Sequence, residues 1–313
     1  MTRKNTNKFS FAGYGNHRLK LWQCPSFLFA LMGIINIASM LGVYIIVSKY
    51  DFPELVIVSV SVVSILIFVI GGAVIKNVEK ITEVSRMKSE FISIVSHQLK
   101  APLAGMRWSA DILLSDKLGD LNDKQEEYLR DVQENTTRII RLVNDLLDIS
   151  RIESGRMNMN IQEIGLKEVV EDALKEFNSF AKANNVKLTA DIGENINKVK
   201  TDPVRIKLVV HNFIDNAIKY ADNKKGVVEV CLKNKDENVF CSVTDNGVGI
   251  SKKDQKRVFD KFFRGDNVVG KQTIGTGLGL FIAKVAIESS KGEIGFSSKE
   301  GQGSTFWFML PSV

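Results

Sequence analysis

The chain has 313 residues, 44% hydrophobic and 25% charged, and a net charge of +6 from 42 Lys and Arg against 36 Asp and Glu. That length carries more than one modest domain, and the positive charge is too local for a nucleic-acid binder. Arg3, Lys4, Lys8, Arg18 and Lys20 fall in the first 26 residues, which hold no acid, so the excess reads as a membrane flank. The three cysteines, Cys24, Cys231 and Cys241, form no CxxC pair. This argues against zinc and against a disulfide framework, and fits a reducing compartment.

Phe27 to Val47 and Leu55 to Ile75 are each 21 residues long without a charge. At about 1.5 Å per residue either crosses a hydrocarbon layer of roughly 30 Å. Separated by seven residues that include Pro53, they predict a transmembrane hairpin after a basic tail, residues 1–26. No small-residue cleavage site follows the first run, which excludes a cleaved signal peptide. The tail and the Lys76, Lys80, Arg86, Lys88 group belong on the cytoplasmic side, leaving only the Ser48 to Glu54 turn outside.

From Lys76 the second membrane helix is expected to continue into a charged helix without a break. Phe91, Ile94, Val95 and Leu99 recur at helical spacing and predict a packed seam beside His97. Pro102 withholds a donor from the carbonyl of Gln98, so a bend is expected just past the histidine. A turn over Asp116 to Asn122 leads to a second helix, about Asp123 to Glu153. Its stripe is Leu129, Val132, Thr136, Ile139, Val143, Leu146 and Ser150. Two such helices leave an apolar face open, and a second copy that completes a four-helix bundle would cover it. A coiled-coil spacer would carry the same stripe.

After Met157 the pattern changes. Helices are predicted over Gly165 to Asn184 and Asp202 to Tyr220. Strands are predicted over Val227 to Leu232, Val239 to Thr244, Gly292 to Ser297 and Ser304 to Leu310. This order predicts an α+β sandwich.

Four segments in this block carry chemistry. Asn212, Asn216 and Lys219 share one helix face, where amide oxygens and an ammonium suit a hydrated Mg²⁺ and the phosphates it bridges. At a strand end, Asp245 can accept from an exocyclic amine, while Gly247 and Gly249 admit the close approach of a flat ring. Phe259, Phe262 and Phe263 anchor a loop. Gly275, Gly277 and Gly279 precede the helix Phe281 to Glu288, and a glycine-rich helix start cradles phosphate. His17 and His211, the latter read on the outer edge of its helix, have no partners at metal spacing.

In these residues the chain resembles the membrane-bound bacterial sensor histidine kinases of two-component systems, over about Lys76 to Val313. SHQLKAPL is similar to the family's histidine box. Asn212 to Tyr220, Asp245 to Gly249, Val258 to Arg264 and Gly275 to Leu280 are similar to its four nucleotide boxes. The resemblance implies a dimerisation and phosphotransfer domain over residues 76–155 and a Bergerat-type ATP-binding sandwich over 156–313. It implies that His97 attacks the γ-phosphoryl group of ATP and passes it to an aspartate of a response regulator. It also implies that Asn216 ligates Mg²⁺, that Asn212 and Lys219 contact phosphates, and that Asp245 reads adenine. Gly275, Thr276, Gly277, Leu278 and Gly279 would shape the lid, and Tyr220, Phe262 and Arg264 are counted with the nucleotide contacts. The implied state is a homodimer in the inner or plasma membrane, crossing it twice, with its N-terminus and kinase domains cytoplasmic.

Two positions depart from the family's pattern. Gln98 replaces the usual acid after the histidine; its amide orients a ring but accepts no proton. Ala101 stands where relatives often carry Thr or Asn. Kinase activity is expected to survive, since phosphoryl transfer depends mainly on positioning and charge stabilisation, whereas phosphatase activity is expected to be weak. The alternative reading is an ATP-binding signalling scaffold without phosphotransfer.

Overall fold

The computed structural model describes residues 25–47, 49, 53–115, 119–222, 225–265 and 276–313. The basic tail with His17 and Cys24, most of the Ser48 to Glu54 turn, part of the Asp116 to Asn122 turn and Gly275 lie outside these residues. The chain divides into two compact units, 1–102 with 150–157, and 103–149 with 158–313.

Among the described residues, two helices are long and apolar enough to cross a membrane. Helix α1 spans Pro25–Val47, and α2 runs from Pro53 to Leu113. A Cβ on Gly71 would lie 1.8 Å from Met32 Sδ, so glycine is what lets the two helices approach there. The continuous passage from the apolar segment into the histidine helix follows the expectation. So strong is the helical register that α2 also continues through Pro102 for another three turns.

Helix α3, Asp123–Glu153, starts on a reciprocal cap. Gln125 N–H donates to Asn122 Oδ1 at 2.9 Å, and Asn122 N–H donates to Gln125 Oε1 at 3.0 Å. Most of the expected α2 stripe lies open on the single chain. Phe91, Ile94 and Leu99 are 67%, 58% and 42% exposed, while Ser89, Ser96, Leu103 and Ala110, at seven-residue intervals, are buried. On α3 the same spacing buries Thr136, Val143 and Ser150 and leaves Val132 and Ile139 exposed. Small side chains, Ser89, Ser96, Ala110, Thr136 and Ser150, alternate in these buried lines with Leu103 and Val143. Ser150 Oγ donates to the Ser89 carbonyl at 3.1 Å. Phe91, Ile94, Leu99, Val132 and Ile139 lie on the outside of the hairpin.

In the second unit, β1 (Gln162–Gly165) pairs antiparallel with β3 (Lys198–Thr201). The main sheet has the order β2-β4-β5-β7-β6, with β2 Val186–Ile192, β4 Gly226–Lys235, β5 Asn238–Asp245, β6 Glu293–Lys299 and β7 Gly303–Pro311. Only β2 and β4 pair in parallel; the rest are antiparallel. Alternation puts Val228, Val230 and Leu232 of β4 and Phe306, Phe308 and Leu310 of β7 into the core. Against them pack α4 (Leu166–Ala183), α5 (Pro203–Tyr220) and α6 (Gly279–Ser289). The result is the expected α+β sandwich, with β1, β2 and β3 added to the predicted strands. At its centre the Phe213 ring lies 5.7 Å from Phe306 and 6.2 Å from Phe308. Helix α5 begins at a strong signal: Asp202 Oδ1 accepts from Val204 N–H at 2.9 Å, and Pro203 takes the first position. Cys231 and Cys241 are free thiols, the second buried and its thiol pushed up to about 12.

Candidate functional site

Because one face of α5 is committed to the core, its other face is fixed toward a cavity of about 330 Å³. Asn212, Asp215, Asn216, Lys219 and Tyr220 line it from α5. Asn212 rests on the start of α6: a Cβ on Gly279 would lie 2.3 Å from its Oδ1. That glycine therefore makes room for an amide at a helix N-terminus, where free N–H groups and the dipole favour an anion. The Lys219 ammonium bonds the Asp215 carboxylate.

Asp245, at the end of β5, is buried and lines the same cavity. Burial pushes its carboxyl above the usual range, while the N–H groups of Gly247, at 2.8 Å, and Ser304 draw it back. The adjacent glycines are also required by the fold. A Cβ on Gly247 would lie 1.7 Å from the Tyr220 carbonyl oxygen, and one on Gly249 would lie 2.1 Å from that of Lys299. They admit the neighbouring chain. Gly249 still borders the cavity; Gly247 does not.

The other expected residues divide similarly. Thr276, Gly277, Gly279 and Arg264 line the cavity, together with Phe263 and Gly265. Gly277 has φ +68°, and a Cβ there would sit 2.8 Å from the Phe262 backbone, so the glycine run packs against the phenylalanine loop. Leu278 is buried at the base of α6 and does not face the cavity. Phe262, with φ +60°, is 62% exposed and faces away toward Lys253 and Arg257. Of the loop aromatics, Phe259 is the anchor, its ring 5.9 Å from Phe296. Gly275 lies outside the described residues.

Several lining residues were missed in the sequence. Arg141 and Asp145 come from α3, Phe177 from α4, and Leu208, His211 and Asp215 from α5. His211 is thus on the cavity side and not on the outer edge of its helix. Its ring meets Phe177 edge-on at 5.2 Å, and Nε2 lies 3.3 Å from Glu176 Oε2. Burial holds its imidazole below the ordinary value, and Glu176 pulls the other way. His211 and Asp215 each directly precede one of the two asparagines and stand one turn apart, so the helical period alone brings them to the same side.

His97 and Gln98 are both exposed on α2, within the smaller unit.

Residues 87–155 match the His Kinase A (phospho-acceptor) domain, and residues 201–313 match the histidine kinase-, DNA gyrase B- and HSP90-like ATPase family. Sensor protein GacS of Pseudomonas syringae pv. syringae is 32% identical over 232 residues, 73% of this chain and 25% of that protein. BarA of Escherichia coli K12, a signal transduction histidine-protein kinase, is 29% identical over 234 residues, again 73% and 25%. KinB of Pseudomonas aeruginosa, an alginate biosynthesis sensor protein, is 28% identical over 238 residues, 76% and 39%. The chain therefore spans between a quarter and two-fifths of the length of these curated relatives. ShkA, solved full-length in complex with AMPPNP, shares the fold at a TM-score of 0.58 and 24% identity, over 72% of this chain and 46% of that one. With a phospho-acceptor hairpin followed by an ATPase sandwich, the chain belongs to the sensor histidine kinases of two-component systems.

Proposed function

We propose that the chain is an ATP-dependent protein-histidine kinase that phosphorylates its own His97 and passes the phosphoryl group to an aspartate of a response-regulator receiver domain. The observation that carries this is the single cavity where Asn216, Lys219, Asp245, Arg264 and Thr276 meet, although they come from four separate segments. Asp245 accepts from the adenine amine, and the α5 amide face and the α6 N-terminus hold the phosphates. The donor set fits Mg²⁺. No group of three His, Cys, Asp or Glu able to hold a metal occurs among the described residues. A magnesium ion keeps several waters and needs only one or two protein oxygens beside the phosphates. Asn216 supplies such an oxygen. When bound, Mg²⁺ neutralises charge developing on the phosphates.

His97 contributes a ring nitrogen as nucleophile: a nitrogen–phosphorus bond forms as the bond to the ADP oxygen breaks. Gln98 orients the ring by hydrogen bonding, and because both residues are exposed, water can take the imidazole proton. Residues 76–155 form the phosphotransfer domain and 156–313 the catalytic one. The outward Phe91, Ile94, Val132 and Ile139 form the contact with a second copy. Residues 27–47 and 55–75 hold the dimer in the inner or plasma membrane, with the N-terminus and kinase domains cytoplasmic, so that input arrives through the bilayer or a membrane partner. Nothing favours the scaffold reading over phosphotransfer.

The test uses the full chain in lipid nanodiscs with Mg²⁺ and γ-labelled ATP. Acid-labile label is expected, and Asn216→Ala should reduce it to background. Undiminished labelling in that variant would remove the metal role of Asn216; no label in the unaltered chain would remove the kinase assignment.

A further inference from the structure

One wall of the cavity comes from the phosphoacceptor hairpin. Arg141 and Asp145 stand one turn apart on α3, and both line the cavity beside the α5 amide face. Thr276 Oγ1 donates to Asp145 Oδ2 at 3.0 Å and accepts from Leu278 N–H at 3.1 Å. That hydroxyl is the only polar side-chain group in the run Thr276, Gly277, Leu278, Gly279. Any phosphate oxygen that docks on this run seeks the same donor. Lys219 is engaged in the same manner, its ammonium on Asp215, which also has Arg141 Nη1 at 3.9 Å. Carboxylates thus hold two of the groups expected to meet phosphate.

We propose that Asp145 acts as a phosphate stand-in: it accepts the Thr276 hydroxyl and seats the glycine run on α3, and a nucleotide phosphate displaces it from that hydroxyl. This rests on the nucleotide reading of the cavity. Asp145 is then a positioning residue that acts through Thr276, and its contact and the nucleotide's exclude each other. Charge works in the same direction. Burial and the neighbouring Asp148 already hold the Asp145 carboxyl above its ordinary range, and a triphosphate beside it adds further repulsion. A separate ion pair, Arg205 with Asp148, holds α3 to α5 outside the cavity. Loss of the Asp145 contact therefore leaves α3 beside α5.

Linkage makes the effect reciprocal: whatever Asp145 gains from Thr276, the nucleotide must overcome. The test is equilibrium binding of Mg²⁺·AMPPNP and of adenosine to the full chain. Asp145→Ala should tighten AMPPNP by about fivefold to tenfold and leave adenosine, which has no phosphate, unchanged. Asp145→Asn keeps an oxygen acceptor without the charge, so it should give a smaller gain and serves if the alanine variant folds poorly. With Thr276→Val as background, Asp145→Ala should lose most of its effect. Unchanged or weaker AMPPNP binding in both Asp145 variants would overturn the proposal, as would an equal gain for adenosine or a gain that persists without the Thr276 hydroxyl. Failure of the unaltered chain to bind either ligand would overturn the nucleotide reading itself, a different result from an inert Asp145.

Discussion

Helix α5 buries seven apolar residues on one face and turns Asn212, Asn216 and Lys219 to a cavity. Helix α2 does the reverse around its histidine: Ser89 and Ser96 are buried, and Phe91 and Ile94 are in solvent. The ATPase sandwich closes its own core and can hold a site rigidly. The hairpin leaves apolar side chains on its outer face, and His97 is presented rather than enclosed. The proposed function, in which a phosphoryl group leaves an ATP site and passes on to a receiver domain, would suit an accessible acceptor and a preorganised donor site.

Two phenylalanines should separate these regions most strongly. Phe213→Ala removes a ring packed at the centre of the sandwich and should cost about 3–5 kcal/mol in denaturant unfolding. Phe91→Ala should leave that transition within about 0.5 kcal/mol but weaken self-association, read by sedentimentation equilibrium in detergent. Equal losses of unfolding stability would break the contrast.

Within the sandwich, Asp245→Ala removes a buried acceptor and should weaken adenosine binding by about 10- to 100-fold, the loss of a hydrogen bond to a charged group. Gly247→Ala should cost about 1–3 kcal/mol of stability, because the new methyl meets the Tyr220 carbonyl and backbone must shift. If Gly247→Ala kept its stability and lost only nucleotide, that glycine would serve ligand approach and not the fold.

The smallest expected effect concerns pH. The Asp245 carboxyl is raised by burial, so folding favours its neutral form. The stability it contributes is present at low pH and is lost as pH rises through its folded-state value. Adenine recognition has the opposite sign, since the carboxylate accepts from the amine more strongly than the neutral acid does. Adenosine affinity should fall as the solution is acidified through the range above ordinary carboxylate values, and Asp245→Asn should flatten that profile.

Much of this was legible because local spacing decides it. The period of α5 places two amides and an ammonium together, and alternation marks β4 and β7. Strand β2, VKLTADI, carries the same alternation, Val186, Leu188, Ala190 and Ile192 against Lys187, Thr189 and Asp191, and was legible but passed over; pairing with β4 places it in the sheet. The apolar α2 stripe was legible from its spacing. The line that α2 buries within its own chain, Ser89, Ser96, Leu103 and Ala110, was not, because hydrophobicity alone does not rank serine and alanine. Gly247 showed that the backbone comes close to something, and three-dimensional structure identifies it as Tyr220. Arg141 and Asp145 were invisible as site residues because their partners lie more than seventy residues away along the chain.

The most direct test of the account is where the phosphoryl group ends. After incubation of the full chain with Mg²⁺ and γ-labelled ATP, peptide mapping under alkaline conditions should place the label on His97 alone, and His97→Ala should abolish it while nucleotide binding stays intact. Label that persists in His97→Ala, or maps to another residue, would contradict the assignment.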